Sequence, residues 1–402
     1  MTERMDAFTT PLPKDWEIKT FRDISTINQG LQIPISQRLK APTEHAKFYI
    51  TIQALNNRKE FEYIKTYNES VVCHKDDILM TRTGNTGMVI TNIEGVFHNN
   101  FFKINFDRTL INKDFLVYFL SLEQTQKTIL KKAGTSTIPD LNHNDFYSLS
   151  IPLPPLNEQI AIANILSDVD HYLYTLDALI LKKESVKKAL SFELLSQRKR
   201  LKGFNQAWQR VRLGTYKYRR GSFPQPYGNP QWYSDNGMPF VQVYDVGENF
   251  KLTQKTKQKI SKIAQPMSVF VPKNSVIITL QGTIGRVALT QYDCYCDRTI
   301  LIFDNNTLND VNKYFFVLSL FTKFEEEKRK ADGSIIKTIT KQTLKDFEIP
   351  LPPLNEQIAI ANILSDLDSE IISLKNKKRQ FENIKKALNH DLMSAKIRVL
   401  KK

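Results

Sequence analysis

Two stretches of this 402-residue chain are identical over 18 positions. Ile151 to Asp168 reads I-P-L-P-P-L-N-E-Q-I-A-I-A-N-I-L-S-D, and Ile349 to Asp366 repeats it without a change. Self-similarity at a fixed offset decides architecture before any local pattern is read. Here the offset is 198 positions (151 to 349), too long for a solenoid repeat, so the chain is one unit duplicated.

Each identical stretch opens a run that reads as a long helix. The pairs Pro154-Pro155 and Pro352-Pro353 cannot lie inside a helix but suit the approach to one. Asn157 and Asn355 are expected as N-caps, with Glu158 and Glu356 placing a carboxylate in the positive first turn. Apolar residues then recur at threes and fours: Leu166, Val169, Leu173, Leu176, Ile180, Val186, Leu190 and Leu194 in the first copy. The second copy supplies Leu364, Leu367, Ile371, Leu374, Phe381, Ile384, Leu388 and Leu392. A narrow apolar stripe flanked by Lys182, Lys183, Lys187, Lys188, Lys375, Lys377, Lys378 and Arg379 is a coiled-coil pattern. At ~1.5 Å per residue, about 40 residues make a rod of roughly 60 Å, whose stripe needs a partner; the nearest is the other copy.

Before each rod lies a globular unit. Trp16 and Trp208 open the two units. Strands are expected at 47–54, 77–81, 87–91 and 100–106, and a helix from Asn112 through Ile129, ending before Gly134. The second unit repeats this with strands at 239–244, 275–280, 285–289 and 298–303 and a helix over 309–329. The same offset pairs Thr81 with Thr279, Gly84 with Gly282 and Gly87 with Gly285, with no insertion between about residue 78 and residue 200. Identical rod starts imply two similar surfaces meeting the same partner twice. Diverged loops on a common frame imply two units that read different targets.

Composition narrows the class. Lys and Arg number 57 against 42 Asp and Glu, a net charge of +15 that favours a polyanionic partner. The longest apolar run, Tyr314 to Phe321, is far too short to span a bilayer, and the N-terminus lacks the order of a secretion signal. A cytoplasmic location is expected. The three cysteines, Cys73, Cys294 and Cys296, suit neither a disulfide framework nor a four-ligand zinc site, and are expected as small side chains in or near strands. There is no phosphate loop of the G-x-x-x-x-G-K-[ST] type, no His-x-x-x-His and no G-x-S-x-G. No catalytic residue, metal site or cofactor is therefore expected in this chain.

Several loops suit DNA instead. Arg82-Thr83-Gly84-Asn85-Thr86-Gly87 and Gln281-Gly282-Thr283-Ile284-Gly285 sit at matching strand ends, where glycine permits close approach and Arg, Asn or Gln can pair with base edges. Arg219, Arg220 and Gln225 fall in a turn-rich stretch mixing aromatics with cations, and its counterpart lies near 28–38. Lys131, Lys132, Lys337 and Lys341 flank the loops before the rods as phosphate contacts. The candidate DNA-binding residues are thus Arg82, Thr83, Asn85, Lys131, Lys132, Arg219, Arg220, Gln225, Gln281, Thr283, Lys337 and Lys341. Asn157, Glu158, Gln159, Asn355, Glu356 and Gln357 are the candidate partner-binding residues.

The Trp16 and Trp208 openings, the paired glycine turns and above all the two P-L-P-P-L-N-E-Q-I-A-I-A stretches resemble the specificity subunits of type I restriction-modification systems. The resemblance covers nearly the whole chain. It implies a mixed α/β (α+β) fold: target recognition domains over 1–155 and 201–353, a central spacer helix over 156–200 and a C-terminal one over 354–402. The helices would pack as an antiparallel coiled coil with pseudo-two-fold symmetry. Each domain would read one half of a bipartite double-stranded DNA site, with the rods setting the gap. Two modification (methyltransferase) subunits, carrying S-adenosylmethionine, would dock on the rods, and restriction subunits using ATP and Mg would join them. The alternative on the same residues is a structural coiled-coil scaffold without DNA specificity.

Overall fold

The computed structural model of the chain describes residues 12–56, 61–134, 137–281, 285–330 and 341–399. Backbone packing divides the chain into two compact units: Met1–Ala178 with Asn376–Lys402, and Leu179–Lys375. The division cuts through both long helices, Leu156–Leu195 and Leu354–Met393, each of 40 residues. Every unit therefore contains one globular domain, the first half of the helix that follows it, and the last half of the helix from the other repeat.

In unit 1 an antiparallel sheet runs in the order Ser25–Gln29, Phe101–Phe106, Ile78–Thr81, Val89–Ile90. A second sheet orders Tyr63–Ile64, Lys47–Ile50, Gly95–Phe97, Val72–Cys73, with the two central strands parallel. Unit 2 repeats both: Tyr218–Arg220, Ile300–Phe303, Val276–Thr279, Val287–Leu289, and Gln258–Ile260, Tyr233–Val241, Cys294–Cys296, Val269–Val271. All three cysteines are buried, free thiols within these strands.

A third pairing explains the proline-rich approach to each rod. Glu17–Thr20 pairs with Ser150–Leu153, and Gln209–Arg212 with Glu348–Leu351, both antiparallel. Pro152 and Pro350 are tolerated because a two-stranded ribbon leaves each strand one edge with no donor to supply. The core of unit 1 gathers Phe21, Phe102, Phe115, Phe119 and Phe146, all fully buried. Burying each such side chain is worth about 1.5–3 kcal/mol.

The rods pair antiparallel within each unit. In unit 1 Asp170 meets Lys385 at 2.5 Å and Asp177 meets Lys378 at 2.7 Å, one number rising as the other falls. In unit 2 Lys183 meets Glu370 and Lys187 meets Asp368 in the same sense. Rod ends complete the cores: Leu392 and Met393 are buried among Trp16, Phe115 and Phe119, while Leu194 and Leu195 are buried among Phe315, Leu318 and Leu364.

Several local expectations are corrected. The helices begin at Leu156 and Leu354, and the N–H groups of Gln159 and Gln357 bond to the carbonyls of Pro155 and Pro353. The prolines therefore occupy the cap positions, and Asn157 and Asn355 lie inside the first turn. Val186 and Ile384, placed in the apolar stripe, are 46% and 50% exposed. The run 47–54 is a strand only to Ile50, after which Ile52–Asn56 turns helical. Asn112 caps as expected, but two helices follow, Lys113–Leu120 and Glu123–Ala133, because Leu122 between them is extended. The second unit's helix starts at Lys313, capped by Asn312. The constant offset also fails locally. Val96 answers to Tyr295, one position further on, and Asn112 to Asn312, two further on.

Candidate nucleic-acid interface

The strand ends build one edge twice on the same backbone frame. In unit 1 the N–H of His98 donates to Ile50 and that of Phe101 to the His98 carbonyl; in unit 2 Asp297 donates to Val241 and Ile300 to Asp297. The N–H of Arg82 bonds to the Asn100 carbonyl, as that of Leu280 does to Thr299. His98-Asn99-Asn100 and Asp297-Arg298-Thr299 are therefore structurally equivalent. Glycine is required behind each: a Cβ on Gly30 would lie 2.2 Å from the Phe97 carbonyl oxygen, and one on Gly221 2.3 Å from that of Asp297.

On this frame the side chains differ. The unit 1 edge opens on a cleft of about 500 Å³ lined by Arg38, Thr51, Ile52, Gln53, Asn56, His98 and Asn100. Burial, followed by the Arg38 charge, pushes the His98 pKa down, so its imidazole is neutral near neutral pH. Its Nδ1 accepts from the Asn100 N–H at 3.1 Å, which leaves Nε2 as the donor. Arg38 itself is spent, donating to the Ile33 carbonyl and to Glu62. Gln53 and Asn56, one helical turn apart, are exposed amides.

At the unit 2 edge Asp297 is buried and held by the Tyr227 hydroxyl (2.6 Å), the Thr299 N–H and the Gln242 amide. Burial, then the bond to Asp297, raises the Tyr227 pKa and keeps its hydroxyl a donor. Arg298 is exposed, its guanidinium 5.5 Å from the centre of the Tyr227 ring.

The expected DNA residues fall unevenly. Arg82 and Thr83 both bond to Asp140, the arginine through Nε and Nη2, so they clamp their own loop. Burial opposes ionisation of Asp140, but the bonds from Thr83 and Arg82 prevail and hold its pKa down. Asn85 is exposed at φ +52° in that loop, which borders the cleft through Gly84 beside Ile52. Lys131 and Lys132 close the helix Glu123–Ala133, where cations favour the dipole. Arg219 donates to the Phe270 carbonyl and lines a separate cleft with Lys217 and Asn305; Arg220, Gln225 and Gln281 are exposed. Thr283 and Lys337 lie outside the described residues, and Lys341 begins the helix Lys341–Asp346. Arg298, His98, Gln53 and Asn56 stand at these edges and are not among the expected residues, since nothing local marks them.

The expected partner-binding residues need a firmer correction. Glu158, Gln159, Glu356 and Gln357 are at most 2% exposed and are used internally. Trp16 Nε1 donates to Glu158 and Trp208 Nε1 to Glu356, both at 3.1 Å. Arg398 bonds Glu158 through Nε and Nη2, and Arg200 does the same to Glu356. Gln159 accepts from the Asn112 N–H and Gln357 from that of Asn312. Only Asn157 and Asn355 of the six are exposed. The offset places Arg200 on Arg398, so this signal was present in the sequence. A parallel pair of triads joins each domain to its rods: the Tyr118 and Lys385 groups on Asp170, and the Tyr314 and Lys187 groups on Asp368.

What is exposed and identical is a different set. Asn157, Ile160, Asn164, Ser167 and Asp168, with Asn355, Ile358, Asn362, Ser365 and Asp366, are all solvent-facing. Spaced by threes and fours, they form one helix face about 100° wide in each unit.

A family model described as the type I restriction modification DNA specificity domain matches residues 13–184 and 225–383. Two relatives from Methanocaldococcus jannaschii are similar over 96% of this chain. They are the putative type I restriction enzyme MjaX specificity subunit, 27% identical over 95% of its length, and the MjaVIII specificity subunit, 25% identical over 94%. Among solved structures, the S subunit of a type I restriction-modification system from M. genitalium aligns at TM-score 0.58 and 18% identity, covering 95% of this chain and 98% of that one. The HsdS subunit from Thermoanaerobacter tengcongensis aligns at TM-score 0.52 and 19% identity, covering 97% and 99%, and shares the fold. With both halves of its sequence matched, the chain belongs to the type I restriction-modification DNA specificity family.

Proposed function

We propose that this chain reads a bipartite DNA site, one half per globular domain, and carries two copies of one methyltransferase subunit on its rods. One observation carries the reading: two equivalent edges differ in chemistry while two equivalent helix faces are identical. A frame that varies its edge and keeps its outer face suits unlike DNA halves and like protein partners. Docking runs over Asn157, Ile160, Asn164, Ser167 and Asp168 and their counterparts. Ile160 and Ile358, 42% and 41% exposed, are apolar anchors that packing within the chain leaves uncovered.

The rods set the gap between half-sites, and the chain works in the cytoplasm; among the described residues no helix is long and apolar enough to cross a membrane. The chemistry belongs to the partners: S-adenosylmethionine with the modification subunits, ATP and Mg with the restriction subunits. This chain contributes recognition and geometry and no catalytic group.

Co-purification with the methyltransferase subunit tests the docking. Ile160→Asp or Ile358→Asp alone should leave one bound copy, and the double variant none; two copies retained by the double variant would refute the docking face. Adding two helical turns to one rod should alter the gap in the methylated motif and leave both half-sites unchanged.

A further inference from the structure

The two edges differ in a way that assigns them different bases. At the unit 2 edge the exposed guanidinium of Arg298 stands over the Tyr227 ring. That ring is fixed twice: its hydroxyl is tied to buried Asp297, and it packs at a tilt against Phe223, 4.9 Å between centroids. Asp297 in turn follows directly from the strand pairing, because its N–H bonds to Val241. The guanidinium is thus carried on a rigid support rather than on a free surface side chain, which lowers the entropy lost when it forms a two-pronged contact. Such a fork matches the O6 and N7 acceptors of guanine in the major groove.

The equivalent position in unit 1 is Asn99, whose amide donates to Gln32, and the surrounding groups are neutral: His98, Asn100, Gln53 and Asn56. Amides pair with the N6 donor and N7 acceptor of adenine. No free cation lines that cleft among the described residues, since Arg38 is bonded to Ile33 and Glu62.

We propose that Arg298 reads a guanine in the half-site bound by residues 201–353, and that Gln53 and Asn56 read an adenine in the other half-site. This rests on the bipartite reading given above.

The test uses the full chain in complex with its methyltransferase subunit and a duplex DNA pool with randomised positions, bound fractions being sequenced. Wild type should select two half-sites, with guanine fixed at one position of one half. Arg298→Ala removes the fork and should flatten that one position roughly 5- to 150-fold, the discrimination of one two-pronged contact, while the other half-site holds. Arg298→Lys, whose ammonium can still donate to O6 and N7, should keep part of the guanine preference. Gln53→Ala with Asn56→Ala should flatten an adenine in the opposite half only. If Arg298→Ala weakens all sequences alike, the residue is a phosphate contact and the assignment is overturned. Loss of preference at an A·T pair, or in both halves, overturns it equally. A wild-type complex that selects no motif would instead sink the DNA-reading function itself.

Discussion

Replacing Arg398 by alanine isolates the interaction that locks a rod end onto the opposite repeat's domain. Glu158, 2% exposed, would keep only the Trp16 indole as a side-chain partner among the described residues and lose both guanidinium bonds. Removing one member of a buried ion pair costs about 3–5 kcal/mol, because the remaining charge is desolvated and unpaired. Arg398 is itself 28% exposed, so the lower end applies, about 3 kcal/mol. In a unit of this size that lowers its Tm by roughly 6–12 °C. The cause is separable from lost packing by a double-mutant cycle. With Glu158→Gln in place no charge is stranded at position 158 and Arg398→Ala removes only the bonds to the less buried Asp15, so it should then cost less, giving a coupling of about 2 kcal/mol. Urea unfolding followed by hydrogen exchange in residues 12–178 reads both quantities. Lys127→Ala, which breaks an exposed pair with Glu123, is the control and should change nothing measurable. A coupling below about 0.5 kcal/mol would refute the clamp as an electrostatic lock.

Gly221→Ala should destabilise unit 2 by about 3 kcal/mol or more in the same assay, because the added carbon meets the backbone oxygens of Asp297 and Cys296. Tyr118 and Tyr314 have pKa values raised first by burial and then by their bonds to Asp170 and Asp368. Their contribution is complete below the unfolded value of 10 and is lost as pH rises from there through the raised folded values, so stability should fall at alkaline pH, less steeply in Tyr118→Phe with Tyr314→Phe. Asp140 has the opposite sign: its lowered pKa stabilises the loop above the unfolded value near 3.8 and that support disappears on acidification. Arg82→Ala should therefore raise amide exchange in 82–87 rather than remove one base preference; an altered motif with unchanged exchange would refute the structural role.

Much of the fold was legible because it was written twice. The duplication and the rods follow from the repeated stretch and from helical spacing, which act through neighbours in the sequence, whereas the antiparallel sense of the pairing was implied only by the family resemblance. Asn112 was readable as a cap for the same reason. Burial was not legible, since it depends on partners far along the chain. Glu158 looked like a solvent-facing first-turn carboxylate, yet its partners are Trp16 and Arg398. Val186 fitted the apolar stripe by spacing, yet it is 46% exposed. The proposed DNA edge was the least visible part. Arg82 carried the obvious chemistry and is occupied by Asp140, whereas Arg298 is identified only by the strand register that sets it against His98-Asn99-Asn100.

Identity between the two repeats has two physical origins that sequence alone cannot separate. Glu158, Gln159, Ile162, Ala163 and Leu166 are buried, and their copies Glu356, Gln357, Ile360, Ala361 and Leu364 do the same work in unit 2. Packing alone holds those positions fixed, because a buried carboxylate tolerates only a partner set that satisfies it. No such constraint reaches Asn157, Ile160, Asn164, Ser167 and Asp168, which are exposed and still identical to their copies. An exposed helix surface with no partner is free to drift, and substitutions there cost little stability. Two such surfaces alike down to an exposed isoleucine are what the proposed docking of one partner on both faces requires. If Ile160→Asp and Ile358→Asp leave the fold and the bound methyltransferase unchanged, that external constraint does not exist and the repeats are alike for packing reasons only.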